Sequence, residues 1–154
     1  MNERDAAIEI FAWVEAELPP DLDALLAEAD ATGHDWSTGF LPAWRERPFT
    51  EAGEALFLAR EDDALLAMAV ISADPFVADD ATGRLRYIYV REAARRRGLA
   101  ERLVRHCLAR ADGRWTRLRL HTDNPLAARL YARYGFRPAP NEPRATHVLD
   151  MTMS

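Results

Sequence analysis

Residues 88–100 read Ile88-Tyr-Val-Arg-Glu-Ala-Ala-Arg95-Arg-Arg-Gly98-Leu-Ala100. A β-rich run ends at Val90 and a short turn follows. Gly98 then opens a helix that carries Leu99, Leu103, Cys107, Leu108 and Ala111 on one face. The first backbone N–H groups of any helix have no internal acceptor, and the helix dipole places about half a positive charge beside them. A glycine at the entry lets an anion come close to that terminus. Arg95, Arg96 and Arg97 add forked donors suited to phosphate oxygens at its lip. The stretch therefore outlines a pyrophosphate cradle. It matches neither a P-loop, which needs a two-glycine run ending in Gly-Lys, nor the G-x-G-x-x-G turn of dinucleotide folds.

A second chemistry-bearing segment, Asn124–Phe136, reads NPLAARLYARYGF. Pro125 suits a first helical turn and Gly135 a helix end. Asn124, Ala127 and Tyr131 fall near one helical face, while Leu130, Tyr134 and Phe136 are expected to be core. A tyrosine aligned with an asparagine can donate a proton to a group held beside that amide.

The arginines carry a wider pattern. Residues 1–83 hold 19 Asp/Glu against 4 Arg, a balance of −15; residues 84–154 hold 16 Arg against 6 Asp/Glu, a balance of +10. All 20 basic residues are Arg and the net charge is −5. The basic half contains both segments above, which fits an anionic partner for part of it. Arginines spread over all faces of strands and helices, with a negative total, argue against nucleic acid as that partner.

Working outward, Ala6–Leu18 reads as a strand stopped by Pro19-Pro20, and Asp21–Ala31 as a helix with Asp21 as its cap. His34–Glu51 has no clean period and reads as a loop with a helical turn or two. Glu54–Glu61 and Ala64–Ser72 form a hairpin about Asp62-Asp63. Arg84–Val90 alternates Leu85, Tyr87 and Tyr89 against Arg86, Ile88 and Val90, the period of a strand. Gly98–Ala111 is a helix, Thr116–Thr122 a strand, Pro125–Tyr134 a helix, and Phe136–Ala139 and Thr146–Thr152 are closing strands. The order predicts a single α/β (α+β) domain spanning 1–154, on one mixed and mostly antiparallel sheet flanked by helices. At 154 residues the chain needs no disulfide or metal staple, and its lone Cys107 reads as a small core residue. No secretory leader or 18-residue apolar run is present, so a cytoplasmic protein off the membrane is expected.

Arg95-x-x-Gly98-x-Ala100 after a strand, followed by Asn124, Ala127, Tyr131, Gly135 and Phe136 in N-x-x-A-x-x-x-Y…G-F order, resembles the GCN5-related N-acetyltransferase (GNAT) family. The resemblance is firm over residues 84–137 and loose over 1–60. It implies a sheet that splays between Arg84–Val90 and Thr116–Thr122 to admit acetyl-CoA. The backbone of Ile88, Tyr89 and Val90 would pair with the pantetheine arm. Backbone N–H groups from Arg96 through Arg97, Gly98 and Leu99 to Ala100 would hold the pyrophosphate, with the Arg95–Arg97 side chains near the phosphates. Asn124 would contact the pantetheine or acceptor, and Tyr131 would protonate the departing thiolate. Val90 N–H would steady the thioester oxygen. The acetyl group would pass directly to an amine, most simply that of a small molecule, in a ternary complex with no metal. A non-catalytic acyl-CoA-binding domain is the alternative. A homodimer is expected by analogy. The general base stays open between His121, Asp74 and water. Trp36, Phe40, Trp44 and Phe49 offer either an acceptor wall, where the acidic half would suit a protonated amine, or simply core.

Overall fold

The computed structural model describes residues 7–151. Ala6 and Thr152, at the outer ends of the first and last expected strands, lie outside them. Seven strands form one sheet in the order β1-β2-β3-β4-β5-β7-β6. They are β1 Ile8–Trp13, β2 Ala55–Glu61, β3 Ala64–Ala73, β4 Thr82–Val90, β5 Arg117–Leu120, β6 Arg137–Pro138 and β7 His147–Asp150. β1 through β4 are antiparallel to their neighbours, β4 and β5 are parallel, and β7 runs antiparallel to both β5 and β6. Four helices, α1 Leu22–Ala31, α2 Ser37–Glu46, α3 Leu99–Ala111 and α4 Pro125–Arg133, cover the two faces.

Each face has its own core. Leu85, Leu99, Leu103, Val104, Cys107, Leu118, Tyr131 and Phe136 pack on the α3 side. Leu25, Leu26, Phe40, Trp44, Leu58, Met68, Tyr87 and Tyr89 pack on the α1–α2 side. Full burial of such a side chain contributes about 1.5–3 kcal/mol, so the sheet is held from both faces. Gly83 sits where a Cβ would come 2.6 Å from the Trp115 ring, so its lack of a side chain lets Trp115 seal the start of β4.

Three expectations are corrected. The segment expected to be a loop contains the ten-residue helix α2, in spite of Gly39 and with Pro42 inside it. Ser37, Phe40 and Trp44, spaced by three and four residues, form its buried stripe, and Trp44 Nε1 donates to the Ala16 carbonyl at 2.7 Å. Burial of two large rings outweighs poor helix propensity here. Phe40, Trp44 and Phe49 are 0%, 1% and 4% exposed and are core rather than acceptor wall; only Trp36 keeps a partly open position. Asp21 precedes α1, but its carboxylate accepts from Arg60 at 2.9 Å instead of capping the helix.

The third correction concerns β4. Met68 pairs with Tyr89 and Val70 with Arg86, so Tyr87 and Ile88 together oppose Ala69 alone. Tyr87 has φ +55, a left-handed conformation uncommon for a tyrosine. This is a β-bulge, and it breaks the simple alternation. Leu85, Ile88 and Val90 face the α3 core, whereas Tyr87 and Tyr89 face α1 and α2. Arg86 also lies on that second face, its guanidinium over the Phe49 and Tyr87 rings.

Candidate active site

β4 and β5 stay paired only over Thr82–Arg84 and Arg117–Arg119. From Leu85 to Val90, β4 has no strand on its β5 side. The parallel pair therefore parts midway along β4, and an unpaired row of backbone groups faces the opening. Such a row can take an extended ligand as an added strand. The opening is braced underneath. Arg119, 0% exposed, donates from Nε to Asp74 Oδ2 at 2.9 Å, from Nη1 to Glu142 at 3.2 Å and from Nη2 to the Pro143 carbonyl at 2.6 Å. Arg84 reaches the same Asp74 oxygen at 3.4 Å and the Arg144 carbonyl at 2.6 Å. Asp74 Oδ1 accepts from the Phe76 N–H at 2.9 Å. Both oxygens of Asp74 are thus committed, which removes it as a general base.

At the far end of the opening lies a cavity of about 240 Å³. Val90, Arg95, Arg96, Gly98, Leu99 and Ala100 form one wall, and Leu126, Leu130 and Arg133 of α4 form another. Gly98 precedes α3 in the left-handed conformation, φ +73, and no side chain caps the helix. Beyond its own chain neighbours, no atom of the described residues lies within 4 Å of where a Gly98 Cβ would stand. Backbone conformation, not crowding, is what calls for glycine there. The first N–H groups of α3 therefore open onto the cavity.

The three arginines differ. Arg95 donates to the Val90 carbonyl at 3.1 Å and to Tyr89 Oη at 3.3 Å. Arg96, exposed and with φ +65, stands at the rim. Arg97 turns away from the cavity into a two-armed pair with Glu61, at 3.3 and 2.7 Å. Its expected side-chain place near the phosphates is therefore corrected, and only its backbone remains beside the cradle. Ile88 points into the α3 core. Tyr89 points to the opposite face, where its hydroxyl donates to Glu28 Oε2 at 2.6 Å. Burial raises the Tyr89 pKa, and the Glu28 hydrogen bond adds to it. Burial alone would raise Glu28 too, but hydrogen bonds from Tyr89, the Glu92 N–H and Arg91 hold it below the usual carboxylate value. This Glu28–Tyr89–Arg95 chain has no sequence signature, because α1 and β4 meet only in the folded sheet.

Asn124 is the N-cap of α4, its Oδ1 accepting from the N–H groups of Leu126 at 2.9 Å and Ala127 at 3.5 Å. An Asn-Pro pair before a helix signals this role, and it leaves the Nδ2 donors free. Tyr131 is 7% exposed and packs edge-on to Phe136 at 5.8 Å. Burial pushes its hydroxyl pKa well up, so it stays protonated across the neutral range. Cys107 is fully buried and its thiol is likewise pushed up, which fits core and not nucleophile. His121, just past β5, is half exposed and lies 3.2 Å from Asp123. No group of three or more His, Cys, Asp or Glu that could hold a metal occurs among the described residues. No helix there is long and apolar enough to cross a membrane.

A seven-stranded sheet that parts beside a bulged strand, with an uncapped helix terminus at the end of the opening, defines a domain built to take an extended, phosphate-bearing ligand. The chain belongs to the acetyltransferase (GNAT) family, whose model matches residues 11–136. That family uses acetyl-CoA, and membership implies acetyltransferase activity. A candidate acetyltransferase from Exiguobacterium sp. 255-15 superposes with TM-score 0.81 at 28% identity, over 93% of both chains. A GNAT-family protein from Desulfovibrio desulfuricans gives 0.71 at 20% identity, over 95% of this chain and 100% of that one. A GNAT-family acetyltransferase from Elizabethkingia anophelis, solved with acetyl-CoA bound, gives 0.62 at 19%, over 94% and 99%. No curated protein matches the chain.

Proposed function

We propose that the protein transfers an acetyl group from acetyl-CoA directly to the amine of a small molecule, both substrates being held together. The observation that carries this reading is the uncapped N-terminus of α3, entered through left-handed Gly98 and open to a cavity at the end of β4's unpaired edge. Pyrophosphate would bind the N–H groups from Arg96 to Ala100, neutralised by the Arg95 and Arg96 side chains. Pantetheine would pair with the backbone of Ile88, Tyr89 and Val90 and receive Asn124 Nδ2. As the amine attacks the thioester carbon, the Val90 N–H would stabilise the oxyanion. The C–S bond then breaks, and Tyr131 would give its proton to the leaving thiolate. The amine's surplus proton would leave through His121 or water, since Asp74 is spent on Arg84 and Arg119.

The test is a panel of amines incubated with acetyl-CoA, following release of the free CoA thiol. Saturable release with at least one amine is expected. Saturable acetyl-CoA binding with no release from any amine would mark a binding module instead.

A further inference from the structure

The face of β4 toward α1 and α2 carries a cation that meets no carboxylate among the described residues. Among the arginines that are buried or partly buried, Arg60, Arg84, Arg91, Arg97, Arg117 and Arg119 each meet a carboxylate within 4 Å. Arg86, partly buried, meets none among the described residues. Its guanidinium lies over the Tyr87 ring at 4.5 Å and the Phe49 ring at 5.6 Å, and Nη2 donates to Tyr87 Oη at 2.6 Å. That bond uses one donor of five and leaves the others for a partner. Trp36, tilted against Tyr87 at 5.5 Å, extends the aromatic shelf. The carboxylates expected to make this face acidic are tied up: Glu28 by Arg91 and Tyr89, Glu54 by Arg47, and Asp74 by Arg84 and Arg119. Arg86 also stands on the unpaired stretch of β4, one residue before the bulge, and about 7 Å along the strand from Ile88.

We infer that Arg86 is a specificity residue that binds the carboxylate of the acceptor, so that the acceptor is a small compound bearing both an amine and a carboxylate. A planar, stacked guanidinium with free donors is preorganised for a two-armed grip on such a group. The inference rests on the transfer reading above for its acceptor, and the experiment separates the two.

Matched triplets are compared with CoA-loaded protein by calorimetry and with acetyl-CoA by thiol release. Each triplet is an amino acid, its carboxamide and its decarboxylated amine. The amino acid is expected to have the lowest KM. Arg86→Gln should raise that KM and the matching Kd about 10–100-fold, the loss of a charge-assisted pair, with acetyl-CoA affinity unchanged. Arg86→Lys should recover part of the loss. Equal KM across a triplet, or an Arg86→Gln protein that keeps its KM, would overturn the inference while leaving acetyl transfer intact. Arg86-dependent carboxylate binding without acetylation of any amine would uphold the anion site and reject the transfer.

Discussion

Arg84 and Arg119 form the last paired rung between β4 and β5, and both side chains converge on the buried carboxylate of Asp74. The strands part immediately beyond this rung. Two guanidiniums on one carboxylate, with Glu142 behind Arg119, pin the closed end of the opening and hold the β6–β7 connection against it.

Removing Asp74 leaves two buried arginines short of a counter-charge. Asp74→Asn is expected to destabilise the fold by about 3–5 kcal/mol, the scale of breaking a buried pair by deleting one partner. Urea unfolding measures it; a loss below 1 kcal/mol would show that the pair is not what braces the rung.

Gly98→Val places a β-branched residue at φ +73, a conformation it strongly disfavours. It also puts atoms in the mouth of the cradle. Stability should drop by about 1–2 kcal/mol, and acetyl-CoA should no longer raise the melting temperature as it does for the wild type. Scanning calorimetry with and without the ligand reads both effects.

Asn124 has two separable duties. Asn124→Ala loses the helix cap and should cost about 1 kcal/mol. Asn124→Asp keeps a capping oxygen but lacks the Nδ2 donor, so it should hold stability and raise the acetyl-CoA KM. Unchanged KM in the aspartate variant would reduce Asn124 to its capping role.

Tyr131→Phe removes the proton proposed for the thiolate and little packing. kcat should fall roughly 100-fold, at the low end of general acid catalysis, with acetyl-CoA Kd nearly unchanged. The raised pKa of Tyr131 further predicts that the wild type's rate shows no loss from tyrosine ionisation as pH rises to 10. Stopped assays over pH 6–10 check this.

Acid should loosen the join between α2 and the sheet. Glu54 is buried, holds Arg47 at 2.6 and 2.7 Å, and accepts the Ala73 N–H at 2.9 Å. Burial alone would raise its pKa, but these bonds outweigh it and hold the folded-state value below the ordinary 4.5. Its stabilisation is therefore complete above pH 4.5 and is lost as pH falls through the folded value. Urea midpoints should drop below that pH in the wild type, and drop less in Glu54→Gln, which starts less stable.

The turn proposed as a pyrophosphate cradle was legible because local chain order makes it. A strand, a glycine and an amphipathic helix in succession place N–H groups at a turn, whatever lies around them. The hairpin about Asp62-Asp63 and the helices at Asp21–Ala31 and Pro125–Tyr134 were readable for the same reason. α2 was not, since Gly39 and Pro42 obscure a helix that Phe40 and Trp44 stabilise only by reaching the sheet. The bulge at Tyr87 was hidden too, because Arg84–Val90 alternates in sequence and the register that sets Tyr87 and Ile88 opposite Ala69 exists only between paired strands.

Short-range spacing carried the element order apart from α2, the strand–glycine–helix turn at residues 95–100 and the family pattern from Arg95 to Phe136. Long-range contacts set which charges find partners. It spent Asp74 on Arg84 and Arg119, and turned Arg97 from the cavity to Glu61. It laid Arg86 on Tyr87 and Phe49 with no carboxylate among the described residues to meet it. Ion pairing depends on which residues distant in the chain come within a few ångströms, and no count of acidic and basic residues along the chain contains that information.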